Sequence, residues 1–158
     1  MNYGMEIIGL RYFNVFGPNQ SPEGAYAAVI PLFMDALLNN KSPYINGDGT
    51  QTRDFTFVEN AVQANIKAIF TEHPDALSKV YNVAVGETTS INDVFYELKR
   101  LTKSTANALY REERQGDIRD SLADISAAKT FLNYNPQIKI NEGLKITLDW
   151  FKIVNQKS

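Results

Sequence analysis

Met5-Glu6-Ile7-Ile8-Gly9-Leu10-Arg11-Tyr12-Phe13-Asn14-Val15-Phe16-Gly17-Pro18 is the stretch that decides the fold. Its near-continuous apolar character, rich in β-branched and aromatic residues, suits a strand buried on both faces of a parallel sheet. Burying about five of these side chains at ~1.5–3 kcal/mol each gives roughly 8–15 kcal/mol gross, which rivals the whole stability of a domain. Such a strand calls for neighbours built by other strand–helix–strand units. Little precedes it, since Met1-Asn2-Tyr3-Gly4 reads as the frayed end of a helix closed by glycine. The expectation is a piece of a larger α/β protein. The alternative is that the strand pairs with later strands of the same chain.

Outward from that stretch, helices and strands alternate. Ile30, Phe33, Met34, Leu37 and Leu38 recur at helical spacing, with Pro31 tolerated in a first turn. Tyr44–Asn46 and 52–58 read as strands, with a tight-turn signal at Gly47-Asp48-Gly49 between them. A second helix carries Ala61, Val62, Ile66, Ile69 and Phe70, and 80–85 is a short buried strand. Ser90-Ile91-Asn92-Asp93 has the form of a capping box. It opens a helix with Ile91, Val94, Phe95, Leu98 and Leu101 on one face. Asp124 is expected to cap a short helix, and Asn141 a last one with Leu144, Leu148, Phe151 and Val154 inward. Alternation of this kind means an α/β protein.

Composition narrows the function. In 158 residues, 16 Lys and Arg against 18 Asp and Glu leave a net charge of −2. There is no basic excess to drive binding to nucleic acid or an anionic membrane. With no cysteine and one histidine, His73, thiolate chemistry and histidine metal clusters drop out. His73 itself precedes Pro74 and reads as a loop residue. No apolar run approaches the ~20 residues of a membrane span, so a protein of a reducing compartment such as the cytoplasm is expected.

Most catalytic motifs are missing. No G-x-G-x-x-G, Walker loop or G-x-S-x-G occurs, and none of the eight tyrosines is followed four positions on by lysine. What remains is a set of arginines and amides. Arg53 lies in an apolar, aromatic strand, where an unpaired guanidinium is costly. It calls for an anion: Asp54, Glu59 or a bound phosphate. Arg114 stands beside Gly116 and Asp117, the glycine letting a ligand approach the backbone. Two converging arginines suit a diphosphate, and Asp117 suits ribose or sugar hydroxyls. Asn14 sits at the carboxyl end of the first strand, where open α/β sheets bind ligands. The same residues also admit a plain reading, with the arginines in local ion pairs and Asn14 as a turn.

Five motifs in order turn the balance. They are 10–18, Arg53-Asp54-Phe55-Thr56-Phe57-Val58-Glu59-Asn60, 80–86, Arg114-Gln115-Gly116-Asp117 and Ala123-Asp124-Ile125-Ser126. Together they resemble the extended short-chain dehydrogenase/reductase family, and within it the nucleotide-sugar epimerases. Residues 24–31 and 44–49 look most like the bacterial UDP-N-acetylglucosamine 4-epimerases. The resemblance spans essentially the whole chain. It implies the carboxyl-terminal part of a Rossmann-type NAD enzyme: residues 1–18 as the last strand and loop of the cofactor domain, and 19–158 as the substrate domain. Residues 79–86 would return to the cofactor-domain sheet.

The chemistry so implied is inversion at C4 of a UDP-sugar through a transient 4-keto sugar, in polysaccharide biosynthesis. By matched position, Asn14 would bond the diphosphate, and Tyr12 and Val15 would lie near the nicotinamide. Ala28 and Val29 would lie against the nucleotide-sugar, and Phe33 would form a bulky wall. Tyr44 and Asn46 would contact uracil, Arg53 and Arg114 the diphosphate, and Asp117 the ribose. The family's tyrosine, lysine and glycine-rich loop have no counterpart in these residues, so the chain alone is expected to be inactive and not to retain NAD. A related dehydratase or decarboxylase, or a non-catalytic nucleotide-sugar-binding module, are the alternatives. Self-association through the first strand is also expected.

Overall fold

The computed structural model describes residues 4–23 and 28–155. The opening helix-end reading at 1–3 and residues 24–27 of one motif lie outside them. In chain order the elements are β1 (Ile8–Tyr12), β2 (Val15–Phe16), α1 (Val29–Leu38), β3 (Tyr44–Asn46), β4 (Thr52–Arg53), β5 (Thr56–Phe57) and α2 (Val58–Ile69). Then follow β6 (Lys79–Val83), β7 (Thr89–Ser90), α3 (Ile91–Thr102), β8 (Leu109–Arg111), α4 (Ser126–Leu132) and α5 (Ile140–Asn155).

The strands associate in pairs. β1–β6, β2–β5 and β3–β8 are parallel, and β4–β7 is antiparallel. β1 therefore does pair within this chain, Ile8 opposite Lys79 through Tyr12 opposite Val83. It is not buried on both faces. Tyr81 and Val83 cover one side of the ribbon, whereas Ile7 is 56% and Val80 61% exposed. The other face shows Gly9 and Val80 in contact, a Cβ on Gly9 falling 3.1 Å from Val80 Cγ2. A two-stranded ribbon offers core on one side only, which is why the expected two-sided burial does not appear.

Two apolar clusters hold the chain together. One gathers α1, α3 and α5 around Phe16, Phe55 and Phe57. The other packs Ala61 and Ala64 of α2 with Tyr81, Val83, Leu132 and Tyr134. Ser90 caps α3 as its sequence indicates: its side chain accepts from the Asp93 amide at 3.0 Å, and the Asp93 carboxylate reaches back to the Ser90 amide.

Several local expectations are corrected. Gly47–Gly49 does not close a hairpin, because β3 takes β8 and β4 takes β7 as partners. The strand read over 52–58 breaks at Asp54-Phe55, and Val58 already begins α2. α2 buries its small side, Asn60, Ala61 and Ala64, and leaves Val62, Ile66, Ile69 and Phe70 exposed. Asn141 lies inside α5 rather than at its cap. Ile125 is the N-cap of α4, though the Asp124 carboxylate still accepts from the Ser126 amide at 2.8 Å. Val154 is exposed.

Candidate functional site

A cavity of about 400 Å³ opens between the start of α1, the β3–β8 pair and the 114–117 turn. Asn14, Val15, Ala28, Val29, Phe33, Tyr44, Asn46, Arg53, Arg114 and Asp117 all line it. Of the eleven positions singled out in the sequence, only Tyr12 lies elsewhere. It is half exposed, and its hydroxyl donates to Asn65 Oδ1 at 2.9 Å.

Arg53 takes none of the carboxylates proposed for it. Its Nη1 donates to the carbonyls of Thr52 at 2.8 Å and Arg119 at 3.0 Å. Among the described residues neither Arg53 nor Arg114 forms a salt bridge. The backbone thus aims the Arg53 guanidinium without neutralising it. Asp54, next in the chain, is fully buried and turns the other way. Its carboxylate accepts from the amides of Val85 and Gly86, both at 3.0 Å, and of Ala123 at 3.4 Å. Burial raises its pKa, those three N–H groups working against the shift.

Asn14 is a turn residue as well as a cavity residue. Its φ of 37° is left-handed, a region asparagine tolerates better than most residues. Its Nδ2 donates to the Asp54 carbonyl at 3.0 Å, and its own carbonyl accepts from the Thr56 amide at 3.2 Å. This ties the end of β1 to the arginine strand. Its Oδ1 makes no bond among the described residues, which leaves it open to a ligand.

Arg114 and Asp117 share one turn. The Asp117 amide donates to the Arg114 carbonyl at 3.1 Å, and Gly116 has φ +87°, which only a glycine adopts without strain. α1 begins beside the same hollow with Ala28 at its N-cap, no side-chain cap and no acid in its first turn. The partial positive charge of that helix end therefore adds to the two arginines. Arginines that outnumber the one carboxylate of the lining, Asp117, and stand beside apolar side chains are chemically a place for an anion attached to something less polar.

Arg111 escaped the sequence reading. β8 has only three residues, all exposed, too short for periodicity to declare. Its parallel pairing brings Arg111 opposite Asn46, and Arg111 Nε donates to Asn46 Oδ1 at 2.6 Å. Of the two residues expected beside the nicotinamide, Val15 lines the cavity, whereas Tyr12 lies outside it with its hydroxyl on Asn65.

Residues 1–84 match the NAD dependent epimerase/dehydratase family. A putative UDP-glucose 4-epimerase of Methanocaldococcus jannaschii is 37% identical, over 98% of this chain and 48% of its own length. A UDP-N-acetyl-alpha-D-glucosaminuronate decarboxylase of Bacillus cytotoxicus is 30% identical over 94% of this chain and 47% of its own. The UDP-N-acetylglucosamine 4-epimerase of Methanobrevibacter ruminantium, solved in complex with UDP-N-acetylmuramic acid, is 42% identical with a TM-score of 0.88, over 98% of this chain and 48% of that one. The chain spans about half the length of the relatives it matches.

Proposed function

The chain belongs to the NAD dependent epimerase/dehydratase family, and from that premise we propose that it is the nucleotide-sugar-binding half of a UDP-sugar 4-epimerase acting on UDP-N-acetylglucosamine or UDP-glucose. One observation carries this reading: two arginines that form no salt bridge among the described residues share a single cavity with an asparagine oxygen that has no partner among them and with a helix start lacking a side-chain cap. Arg53 and Arg114 grip the diphosphate, each charge-assisted contact contributing ~1.5–3 kcal/mol. Asp117 accepts from ribose hydroxyls, while Tyr44 and Asn46 meet the uracil. Ala28 and Val29 are small enough to let the nucleotide-sugar approach, and Phe33 backs them.

Inversion at C4 in the whole protein passes through a 4-keto sugar, with NAD supplying the redox chemistry when bound. These 158 residues hold no tyrosine–lysine pair at the required spacing and no glycine-rich loop. The chain alone therefore binds substrate and does not turn it over. Similarity to a decarboxylase fits a half that holds the nucleotide while the reaction is decided by other residues. Calorimetric titration with UDP, without NAD, tests the reading. Saturable heat that is lost in R53A supports it, and an unchanged titration in that variant makes the arginines structural. Formation of the C4 epimer by the purified chain with NAD would refute the predicted inactivity.

A further inference from the structure

Asn46 and Arg111 face each other across the β3–β8 pair at the rim of the cavity. The guanidinium lies over the Tyr44 ring, 5.1 Å from its centroid, while its Nε donates to Asn46 Oδ1. Arginine carries only donors. The Asn46 amide therefore has one stable orientation, oxygen toward Arg111, because the flipped amide would set N–H against N–H. The main chain of Asn46 is held too, its carbonyl accepting from Gln51 Nε2 at 2.7 Å. Asn46 Nδ2 makes no bond among the described residues, so what this residue offers a ligand is a donor.

We propose that Arg111 is a positioning residue for base selection, locking the Asn46 amide as a donor so that the site takes a base with a carbonyl at the 4-position, as in uracil, over cytosine with its 4-amino group. This rests on the reading of the cavity as a uridine-diphosphate site. Arg111 acts on the base through Asn46, whereas Arg53 and Arg114 act on the phosphates. One well-made hydrogen bond against a donor–donor clash amounts to about tenfold or more in affinity.

The test titrates the unsubstituted chain and R111A, R111K and R111E with UDP, CDP and inorganic pyrophosphate. The unsubstituted chain and R111K, both donor-only at this position, prefer UDP over CDP by about tenfold or more. In R111A the amide is free to flip and the ratio falls toward one. In R111E the carboxylate draws Nδ2 inward, Oδ1 turns to the base, and the preference reverses. The added charge of R111E weakens all three ligands together, so the ratio is the readout. Pyrophosphate binding is the same in R111A as in the unsubstituted chain, which also reports a folded site. An unchanged UDP-to-CDP ratio in R111A overturns the proposal and leaves the uridine-diphosphate reading standing. Equal losses of UDP and pyrophosphate in R111A also overturn it, assigning Arg111 to the phosphates. Absence of UDP binding in the unsubstituted chain overturns both.

Discussion

Arg53 and Asp54 are adjacent in the chain and point their charges into different worlds: the guanidinium into the cavity, held by the carbonyls of Thr52 and Arg119, and the carboxylate into the interior against three backbone amides. The pair that looks like an ion pair on paper is two separate devices. Asp54 joins the end of β6 and the segment before α4 to the arginine strand. Replacing it by Asn sets an NH2 group against at least one of those buried N–H donors, at about 1–3 kcal/mol for each donor left unpaired. D54N should unfold earlier in urea by roughly that amount, while R53A keeps its midpoint and loses UDP affinity about 10–150-fold, the share of one charge-assisted bond.

The buried carboxyl also sets a pH dependence. Desolvation raises the folded pKa of Asp54 above its ordinary value of 3.8. The folded state then holds this proton more tightly than the unfolded chain does. The contribution of Asp54 to stability is complete below the ordinary value and is lost as pH rises through the raised one. Carboxyl-carbon NMR should place its midpoint above 3.8. A midpoint below that value would mean that the three N–H donors outweigh burial.

Gly143 lies within α5 where the helix crosses the aromatic cluster. A Cβ there would stand 2.7 Å from Phe16 Cζ and 2.9 Å from Phe57 Cδ2. Alanine gains about 1 kcal/mol of helix propensity over glycine, but overpacking a filled core costs about 1–3 kcal/mol. The rings sit edge to face, 5.6 Å between centroids, with little room to retreat. The clash wins, so G143A should lower the thermal midpoint; a rise would show that the rings yield.

How much of this was legible beforehand depends on the range of the interaction. The capping box at Ser90 and Asp93 is local, four residues that satisfy one another, and the sequence shows it plainly. Arg53, Arg114 and Asp117 admit local ion pairs as readily as a ligand when read by residue type alone; the family resemblance is what groups them, and they line one cavity. Partnerships were not readable. β3 and β4 flank a tight turn, yet pair with β8 and β7, since which strand meets which is decided by packing between residues 36 to 65 positions apart. Arg111 was missed for the same reason, its role existing only once β8 lies beside β3. The face of α2 was misread because small residues, Ala61 and Ala64, let that helix sit close, leaving larger ones outward.

The outward apolar surface leads to the last prediction. Among the described residues β1 pairs only with β6, so its second edge carries backbone donors and acceptors outside any ladder. On the open face of that ribbon Ile7 and Val80 are exposed, and α2 shows Ile66, Ile69 and Phe70. Unpaired edge and apolar side chains together favour pairing with a second copy of this chain. Light scattering should show the mean mass rising with concentration. The double variant I7K/V80K should return it toward monomer, since two charged side chains on that face oppose its burial. The pair I66K/I69K separates the surfaces: if only that variant dissociates the assembly, the contact runs through α2. Constant monomer mass, with the β1 amides protected from hydrogen exchange, would mean that the edge needs no partner.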